Sequence, residues 1–577
     1  MHTCFFRRCG GWLMFAALTA FTLPAFAYDL IFDSGFQTVT DAPTSDASAA
    51  RFLTMATFGP TQADIDHLRA VGISQWIQQQ LSMPTTTERP YVETLDSAVD
   101  KPGQKDRIEI WFNNSITAPD QLRQRAAWAL SEIMVASDQG NKLGQDPVSL
   151  AEYYDILARD AFGYYDANNA YHQGTINNLL IDVTYSPAMG KMLTYIHNEG
   201  QFPQGSGLSP DENYARELMQ LFSVGLIERN ADFSPVLVDG ATVPTYDQDT
   251  IAANSRVFTG LGYNTIFPNG WKGFVSDGPN YSPAQWMPMS CYENHHDEAS
   301  KTVIDDILIA NPTPNCDQVA PNSKGDIKDL VNILATHHNT APFISRQLIE
   351  RFTSSNPTPQ YIQRVVNVFN DNGHGVYGDL GAVISAILTD TEAMSGNTGN
   401  ASYTFGKLRE PLLKLTALWR YYGAAAANGI YVIPNPTQKY GQAPLDSPSV
   451  FNFFLPDYLP PGEMADTTQY GPEFQISGES SVVSVANDLT TRANQYVGAK
   501  GNTNSTVAID ISSLVAIAGT PSSLVDQLNH DLMYGGMSTT MRSTLIAMVQ
   551  SVSTDPTIRT VSALQVLLAS PEFSIQK

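Results

Sequence analysis

One continuous stripe of hydrogen-bonding side chains lies between residues 209 and 226. Asn213, Arg216, Glu217 and Gln220 are spaced at i, i+3, i+4 and i+7, which places all four on one face of an α-helix. If this stripe lines a cleft, Glu217 is a candidate acid or base, Arg216 an anion clamp, and the two amides substrate ligands. If the stripe packs against other helices, the same side chains form an ion-pair brace. The sequence leaves both interpretations open.

A second group of ionisable side chains follows Cys291, where His295, His296 and Asp297 are consecutive. In a catalytic site shared with the stripe, His296 would shuttle protons and Asp297 would act as acid or base. Imidazole and carboxylate also suit zinc, iron or manganese. However, the helical spacing of two histidines that is typical of zinc proteases is missing. The sequence therefore assigns no metal, and histidines that form loop hydrogen bonds are the alternative.

Three further motifs have a chemical and a structural interpretation. Asn452, flanked by three phenylalanines, is either an aromatic floor for a sugar or apolar ligand or a satisfied core amide. His337-His338 precedes a predicted helix, so we interpret it as a capping or surface pair. Asn370–Gly373 with Asp379 resembles a calcium loop but lacks its twelfth-position glutamate, and turn chemistry explains it.

No motif for a nucleotide or for a hydrolase nucleophile elbow is present, and no cofactor is assigned. The enzyme class therefore cannot be read from a single short motif.

Helices are expected to position these residues. Ser209 and Glu212 stand at capping-box spacing around Pro210, so we predict a helix over 211–226. Its apolar positions form a core stripe at helical spacing: Tyr214, Leu218, Leu221 and Phe222.

Helical periodicity recurs along most of the chain, and Asp239-Gly240 predicts a hairpin over 235–243. A second hairpin is predicted over 265–275. The expected fold is mainly α, a large irregular helical domain over 50–577 with a small β-hairpin excursion. Residues 28–49 lack periodicity and are interpreted as a leader or linker.

The N-terminus has the pattern of a secretory signal peptide over residues 1–27. Arg7 and Arg8 precede a short apolar run, and Ala25-Phe26-Ala27 is a typical cleavage site. We therefore expect a secreted protein, periplasmic or extracellular, that begins near Tyr28 and has no membrane span after cleavage.

The mature chain is strongly acidic. Without Arg7 and Arg8, 31 basic residues face 57 acidic ones, a net charge of −26. Such a field repels nucleic acid and anionic membrane surfaces, which excludes both as partners. Only Cys291 and Cys316 remain after cleavage, and export predicts a disulfide between them.

Eight ordered segments resemble the bacterial family known as domain of unknown function 1800, and they cover the chain from about residue 50 to its end. They are Arg51–Thr61, Leu122–Arg125 with Trp128–Glu132, Asp182–Gly190, Glu212–Leu218, His296–Asp297 with Lys301–Thr302, Asp371–Gly373 with Gly378–Leu380, Leu408–Pro411, and Ser447–Phe454. Tyr377 and Asp446 stand where the family pattern more often has arginine.

The resemblance implies a secreted, mostly helical protein that often accompanies a second exported protein. It implies no established activity, cofactor or catalytic residue.

Three functions remain open from the sequence, and the third of them is a purely structural component of the cell envelope. The first is an extracytoplasmic enzyme that acts on a polysaccharide-like or surface polymer, which the high aromatic content and the acid, imidazole and arginine groups favour. The alternative is a non-catalytic binding or assembly partner of another exported protein.

Overall fold

Helices dominate the part of the chain that the computed structural model describes. That part comprises residues 42–96, 102–140, 143–200, 209–264, 274, 283–310, 325–396 and 405–577. It contains 24 α-helices and only two-stranded sheets, so the prediction of a mainly α fold with small hairpins is confirmed.

The helices of the first half lead up to and follow the polar stripe. They are α1 (Asp46–Ala56), α2 (Gln62–Val71), α3 (Ile73–Ser82), α4 (Arg89–Asp96), α5 (Gln104–Thr117), α6 (Gln121–Ser131), α7 (Pro147–Asp160), α8 (Ile176–Tyr185), α9 (Pro187–Met192), α10 (Asn213–Gln220) and α11 (Gln248–Val257).

The helices of the second half follow the loop-rich region around residue 300. They are α12 (Asp326–Thr336), α13 (Thr340–Phe352), α14 (Pro359–Asn370), α15 (Leu380–Thr389), α16 (Thr391–Ser395), α17 (Pro411–Tyr421), α18 (Pro436–Tyr440), α19 (Glu463–Asp466), α20 (Glu479–Ala493), α21 (Ser512–Ile517), α22 (Pro521–Met533), α23 (Thr539–Val552) and α24 (Pro556–Leu568).

Five antiparallel strand pairs join loops on the helical body. They are β1 (Tyr164–Tyr165) with β2 (Tyr171–His172), β3 (Leu237–Val238) with β4 (Ala241–Thr242), β5 (Leu261–Gly262) with β6 (Ser290–Cys291), β7 (Lys301–Thr302) with β8 (Leu308–Ile309), and β9 (Lys407–Leu408) with β10 (Ile575–Gln576).

The β3–β4 pair is the hairpin predicted over 235–243. Asp239 and Gly240 at its tip have φ angles of 53° and 82°, as a turn of this type requires. The second predicted hairpin, over 265–275, lies outside the described residues except for Phe274.

Helix starts follow capping chemistry in some places and not in others. The Thr61 side chain accepts the Asp64 N–H, and the Asp64 carboxylate accepts the Thr61 N–H, which is a complete capping box at α2. The box predicted at Ser209 is wrong: α10 starts at Asn213, with Glu212 at the N-cap position. The reason is that the Glu212 carboxylate is drawn to the side chains of Arg216 and Gln248.

The described residues from 42 onward form one compact unit, and most of its buried apolar side chains belong to one continuous core. Three buried tryptophans belong to this core: Trp111 and Trp128 have ring centroids 5.0 Å apart, and the ring centroid of Trp419 lies 5.8 Å from that of Phe112. Helix α1 begins at Asp46, so helical structure starts inside the stretch expected to be a linker up to residue 49.

The predicted signal peptide over 1–27 lies outside the described residues. Within the described part, every helix is too short or too polar to cross a membrane.

Candidate functional site

The carboxyl end of α7 is held in place by the buried guanidinium of Arg123. Helix ends leave their last carbonyl groups without partners inside the helix, and a cation there also opposes the helix dipole. Arg123 donates at 3.0–3.3 Å to five backbone carbonyls: Ala158, Arg159, Gly163, Leu81 and Met83. This clamp fixes the position of Asp160, the last residue of α7.

Two glycines close the base of the β1–β2 hairpin that follows α7. Gly163 has a φ of 77°, and a Cβ atom there would lie 2.5 Å from the His172 carbonyl oxygen. A Cβ atom on Gly174 would lie 2.4 Å from the Gly163 nitrogen. Both contacts are too close for any side chain, so glycine at both positions lets the hairpin return beside the end of α7.

The hairpin carries two cross-strand aromatic pairs. Tyr164 and His172 stack with centroids 4.7 Å apart and planes 7° from parallel. Tyr165 and Tyr171 lie 5.1 Å apart with a tilt of 49°. Tyr165 is 67% exposed and Tyr171 48%, so this pair presents aromatic surface to solvent.

Two carboxyl groups meet beside this hairpin. Asp160 is buried, and Asp182 of α8 is half-buried and hydrogen-bonded to it. A hydrogen bond between two carboxyl groups requires that they share a proton. Burial, and then the charge of Asp182, raises the pKa of Asp160 well above its usual range. Burial also raises the pKa of Asp182, although the hydrogen bond from Asp160 opposes that shift.

Asp160 is therefore the member of the pair that holds the proton, and Asp182 is the acceptor. We call these two residues the Asp160–Asp182 pair. Within the described residues, no N–H or O–H group donates to Oδ2 of Asp160. This fits a carboxyl group that carries its own proton.

A series of cationic and aromatic groups begins beside the pair at Arg159. Arg159 Nη2 lies 2.5 Å from Glu152 Oε1, and Arg89 Nε lies 2.6 Å from Glu152 Oε2. The Arg159 guanidinium lies 5.4 Å from the Tyr164 ring centroid, and that of Arg89 lies 3.9 Å from the Trp286 centroid. Burial and the nearby charges of the Asp160–Asp182 pair raise the pKa of Tyr164 to about 12. The phenol thus stays neutral beside the pair.

The predicted polar stripe is on α10, as expected, but its members have different environments. Arg216 is paired with Glu212 at 3.2 Å and donates to Gln248 Oε1 at 3.3 Å; all of these side chains reach solvent. Asn213 and Gln220 are half-buried on the same face.

Glu217 is the only fully buried member of the stripe. Burial raises its pKa, with the charge of Arg216 opposing the shift, and its Oε2 atom has no hydrogen-bond partner.

His296 lies in a different buried network. Its Nε2 is 3.0 Å from Asp326 Oδ2 and its Nδ1 is 2.8 Å from the Thr259 carbonyl oxygen. The Lys301 ammonium also donates to Asp326 at 2.7 Å. Both nitrogens of the ring are thus engaged by fixed partners.

Asp297 forms a two-pronged ion pair with Arg256, at 2.7 and 3.0 Å. Burial opposes its ionisation, but the hydrogen bonds from Arg256 and from the Ala299 N–H hold its pKa below the usual range. Within the described part of the chain, no hydrogen bond or ion pair joins the α10 stripe to His296 or Asp297. A catalytic site shared by the two groups remains a prediction.

Asn452 and the predicted disulfide are the two remaining candidate positions. Asn452 is buried, with a left-handed φ of 64° and an Nδ2 atom that donates to no other group. Cys316 lies outside the described residues, so its disulfide with Cys291 remains a prediction.

A third buried group, which we call the interior charge cluster, brings two of the family-like segments together: Leu122–Arg125 with Trp128–Glu132, and Leu408–Pro411. Its members are Arg125, Glu132, Glu350, Arg351, Lys407, Glu410 and Glu473, all less than 5% exposed. The closest pairs are Lys407 with Glu473 at 2.8 Å and Arg351 with Glu132 at 3.2 Å. Buried charges persist only when they are paired in this way.

Two carboxyl groups of this cluster are joined by one amide. Gln442 Nε2 donates to Glu132 at 3.0 Å and to Glu410 at 3.1 Å, and Trp128 donates to Glu410 at 2.6 Å. Burial, and then the charge of Glu410, raises the pKa of Glu132 to about 8. Burial acts on Glu410 too, but the cations Lys407 and Arg125 and the Trp128 hydrogen bond lower its pKa. Glu132 is thus neutral near pH 7 and Glu410 ionised.

The sequence contained a partial signal for the Asp160–Asp182 pair. Asp182 opens one of the family-like segments, but Asp160 follows the charged residue Arg159 at the end of an ordinary helical pattern. The two are 22 positions apart, and only the packing of α7 against α8 brings them together.

Comparison with known proteins identifies one relationship. The model of a family described as a protein of unknown function (DUF1800) matches residues 51–575. No curated protein and no solved structure matches the chain.

Proposed function

The chain belongs to the DUF1800 family of proteins of unknown function, and from that premise we propose that it is an exported hydrolase of a neutral, hydroxyl-rich polymer such as a polysaccharide. Asp160 and Asp182 supply acid–base catalysis in this proposal. The observation that carries it is the hydrogen-bonded carboxyl pair, in which Asp160 is buried and Asp182 is partly exposed, beside an exposed aromatic hairpin.

The pair has the two protonation states that hydrolysis needs. Two carboxyl groups that share one proton provide an acid and a base at the same pH. Asp182 takes a proton from the attacking water while the water oxygen bonds to the carbon under attack. As the bond to the leaving oxygen breaks, that oxygen takes a proton from the pair through Asp182, the member that solvent reaches, because Asp160 is buried. One proton remains on Asp160, which restores the starting state.

The surroundings favour a neutral, ring-containing polymer. Tyr165 and Tyr171 expose aromatic faces, which pack well against the apolar C–H face of a sugar while their hydroxyl groups remain in water. The strong negative charge of the whole chain repels polyanions. Neutral glycans meet both conditions.

The experiment is a screen for new reducing ends released from neutral polysaccharides. The wild-type protein is incubated with cellulose, starch, xylan, mannan and chitin, and Asp182→Asn is compared on each polymer that is cleaved. Loss of a general base reduces turnover by about 100-fold or more. The matched control is Asp526→Asn, an exposed carboxylate paired with Arg542, which we expect to keep wild-type turnover.

Two results would contradict the proposal: no release from any of these polymers by the wild-type protein, or wild-type turnover in Asp182→Asn. Glu217→Gln serves as a discriminating variant. If that variant loses turnover and Asp182→Asn does not, the catalytic centre lies at the α10 stripe.

One observation supports the alternative function, docking to another exported protein. Several large apolar side chains between residues 451 and 483 are 38–58% exposed: Phe451, Leu455, Leu459, Val482 and Val483. Exposed apolar side chains are typical of partner surfaces when they form one patch. Val483→Asp should leave turnover unchanged and weaken co-purification with a partner if this function is correct.

A further inference from the structure

Two histidines stand at the junction between α12 and α13, next to the chain that enters the β3–β4 excursion. Asn339 fixes this arrangement. Its Nδ2 donates to the Val224 and Ile227 carbonyl groups at 2.7 and 2.8 Å, and its Oδ1 accepts the Arg229 N–H at 2.7 Å. The backbone on both sides of Glu228 is therefore held against the two histidines.

Three potential metal ligands meet at this point. Glu228, His337 and His338 each offer a ligand atom, and these atoms all lie within 4.8 Å of one another. His338 Nε2 is 2.5 Å from Glu228 Oε2, and the two imidazole rings stack with centroids 4.2 Å apart. Asp305 adds a second carboxylate, with Oδ2 3.3 Å from His337 Nε2.

The histidine at the centre of the group is buried. The His337 side chain is 1% exposed, and its Nε2 atom makes no hydrogen bond of good geometry. A buried ring nitrogen without such a bond is costly, and here it lies among two carboxylates and a second imidazole.

From this geometry we propose that Glu228, His337 and His338 bind a divalent transition-metal ion of the zinc class, with Asp305 as fourth ligand or as the carboxylate that orients His337. Two imidazoles and one or two carboxylates are ligands that zinc takes in proteins. Two carboxylates also balance the double charge of the ion when both rings are neutral. Calcium does not fit, because it prefers six to eight oxygen ligands.

The site needs only a small adjustment to close on an ion. Tetrahedral ligands about 2.0 Å from zinc lie about 3.3 Å from one another, so atoms up to 4.8 Å apart must approach by roughly 1.5 Å. His338 is 62% exposed on its side chain and is free to move by that amount. His337 Nδ1 accepts the Asn339 N–H at 3.1 Å and its Nε2 faces Asp305, so an ion bound at either nitrogen displaces one of these contacts.

The bound ion would join three separate parts of the fold. Glu228 enters the β3–β4 excursion, the histidines link α12 to α13, and Asp305 precedes β8. Because these segments meet mainly through loops, an ion that links them should stabilise the folded chain in proportion to its affinity. The site is distant in sequence from the Asp160–Asp182 pair and is independent of the proposed hydrolysis.

The test uses the full-length mature protein without an affinity tag, dialysed against a chelator and titrated with zinc chloride. Isothermal titration calorimetry in competition with a chelator measures stoichiometry and affinity. We expect one zinc ion per chain, a zinc-dependent rise in melting temperature, and affinity reduced by about tenfold or more in His338→Ala and in Glu228→Gln.

The control is His374→Ala, an exposed histidine in the loop before α15, which should bind zinc as the wild type does. His338 is exposed, so its alanine variant is expected to fold. The proposal is overturned if the wild type binds no zinc, or if both ligand variants bind it with wild-type affinity. Equal weakening by His374→Ala would also overturn it, since zinc would then be held by scattered surface histidines.

Discussion

Replacing Glu132 by glutamine should change how the stability of the protein depends on pH. Glu132 has a pKa of about 8 in the folded chain, against 4.5 for an ordinary glutamate. Between these values the folded state holds a proton that the unfolded state has released. The free energy of unfolding must therefore fall as pH rises, by about 1.4 kcal/mol per pH unit for this one group.

The structure sets the size of the effect. Raising the pH from about 5.5 to about 7.5 should cost the wild type about 2.5 kcal/mol through Glu132 alone, because the carboxyl group begins to ionise near the upper limit. Glutamine keeps the shape of the protonated side chain and cannot ionise in either state, so Glu132→Gln removes this dependence. Glu350 and Asp155, whose pKa values burial raises to about 7, have the same sign but contribute equally to both proteins.

The measurement is urea unfolding of both proteins at several pH values across this interval, followed by circular dichroism. The difference in free energy of unfolding between Glu132→Gln and wild type should move by about 2.5 kcal/mol in favour of the variant. The exposed Glu463→Gln serves as the control and should run parallel to wild type. Parallel lines for Glu132→Gln as well would show that Glu132 is ionised in the folded chain, and the reasoning from burial would fail.

Three further predictions concern the end of α7, the β1–β2 hairpin and the export of the chain. Arg123→Lys should lower the free energy of unfolding by about 2–4 kcal/mol in urea titrations. The reason is that an ammonium group cannot reach all five carbonyl groups to which the guanidinium donates. An unchanged midpoint of unfolding would show that these hydrogen bonds at the end of α7 are not needed for stability. Gly163→Ala should destabilise the β1–β2 hairpin, which would be measured as faster amide exchange at Tyr164 and Tyr165. Gly429 has a similar φ but lies in open space, so Gly429→Ala is the control for the effect of backbone strain alone. N-terminal sequencing of the secreted protein should begin near Tyr28, and an intact Met1 would contradict export with cleavage. Thiol labelling of the same unreduced protein should find neither Cys291 nor Cys316 free, and a free thiol would contradict the disulfide.

The mainly helical fold can be predicted from the sequence because apolar residues recur at helical spacing along most of the chain. The apolar positions Tyr214, Leu218 and Phe222 are fully buried, as their spacing indicated, and Asp239-Gly240 forms its turn. Helix boundaries are harder to predict where a side chain has competing partners. Glu212 was assigned to a capping box, but Arg216 and Gln248 bind its carboxylate instead.

The candidate sites could not be predicted to the same degree, because they depend on contacts between distant elements. Asp160 and Asp182 meet only when α7 packs on α8, and Glu228 meets His337 across 109 positions of sequence. His296 and Asp297 are adjacent in sequence, yet one pairs with Asp326 and the other with Arg256. In each case the residue types indicate which chemistry is available, but tertiary packing determines which residues these side chains contact.

The pH dependence of turnover on a cleaved polysaccharide reports the proton that Asp160 and Asp182 share, and therefore whether this pair performs the hydrolysis. The wild type should show a bell-shaped profile, with activity limited by ionisation of Asp182 on the acid side and of Asp160 on the alkaline side. Asp182→Asn should be inactive across the whole range. A flat wild-type profile, or an Asp182→Asn variant that keeps the wild-type profile, would contradict the claim.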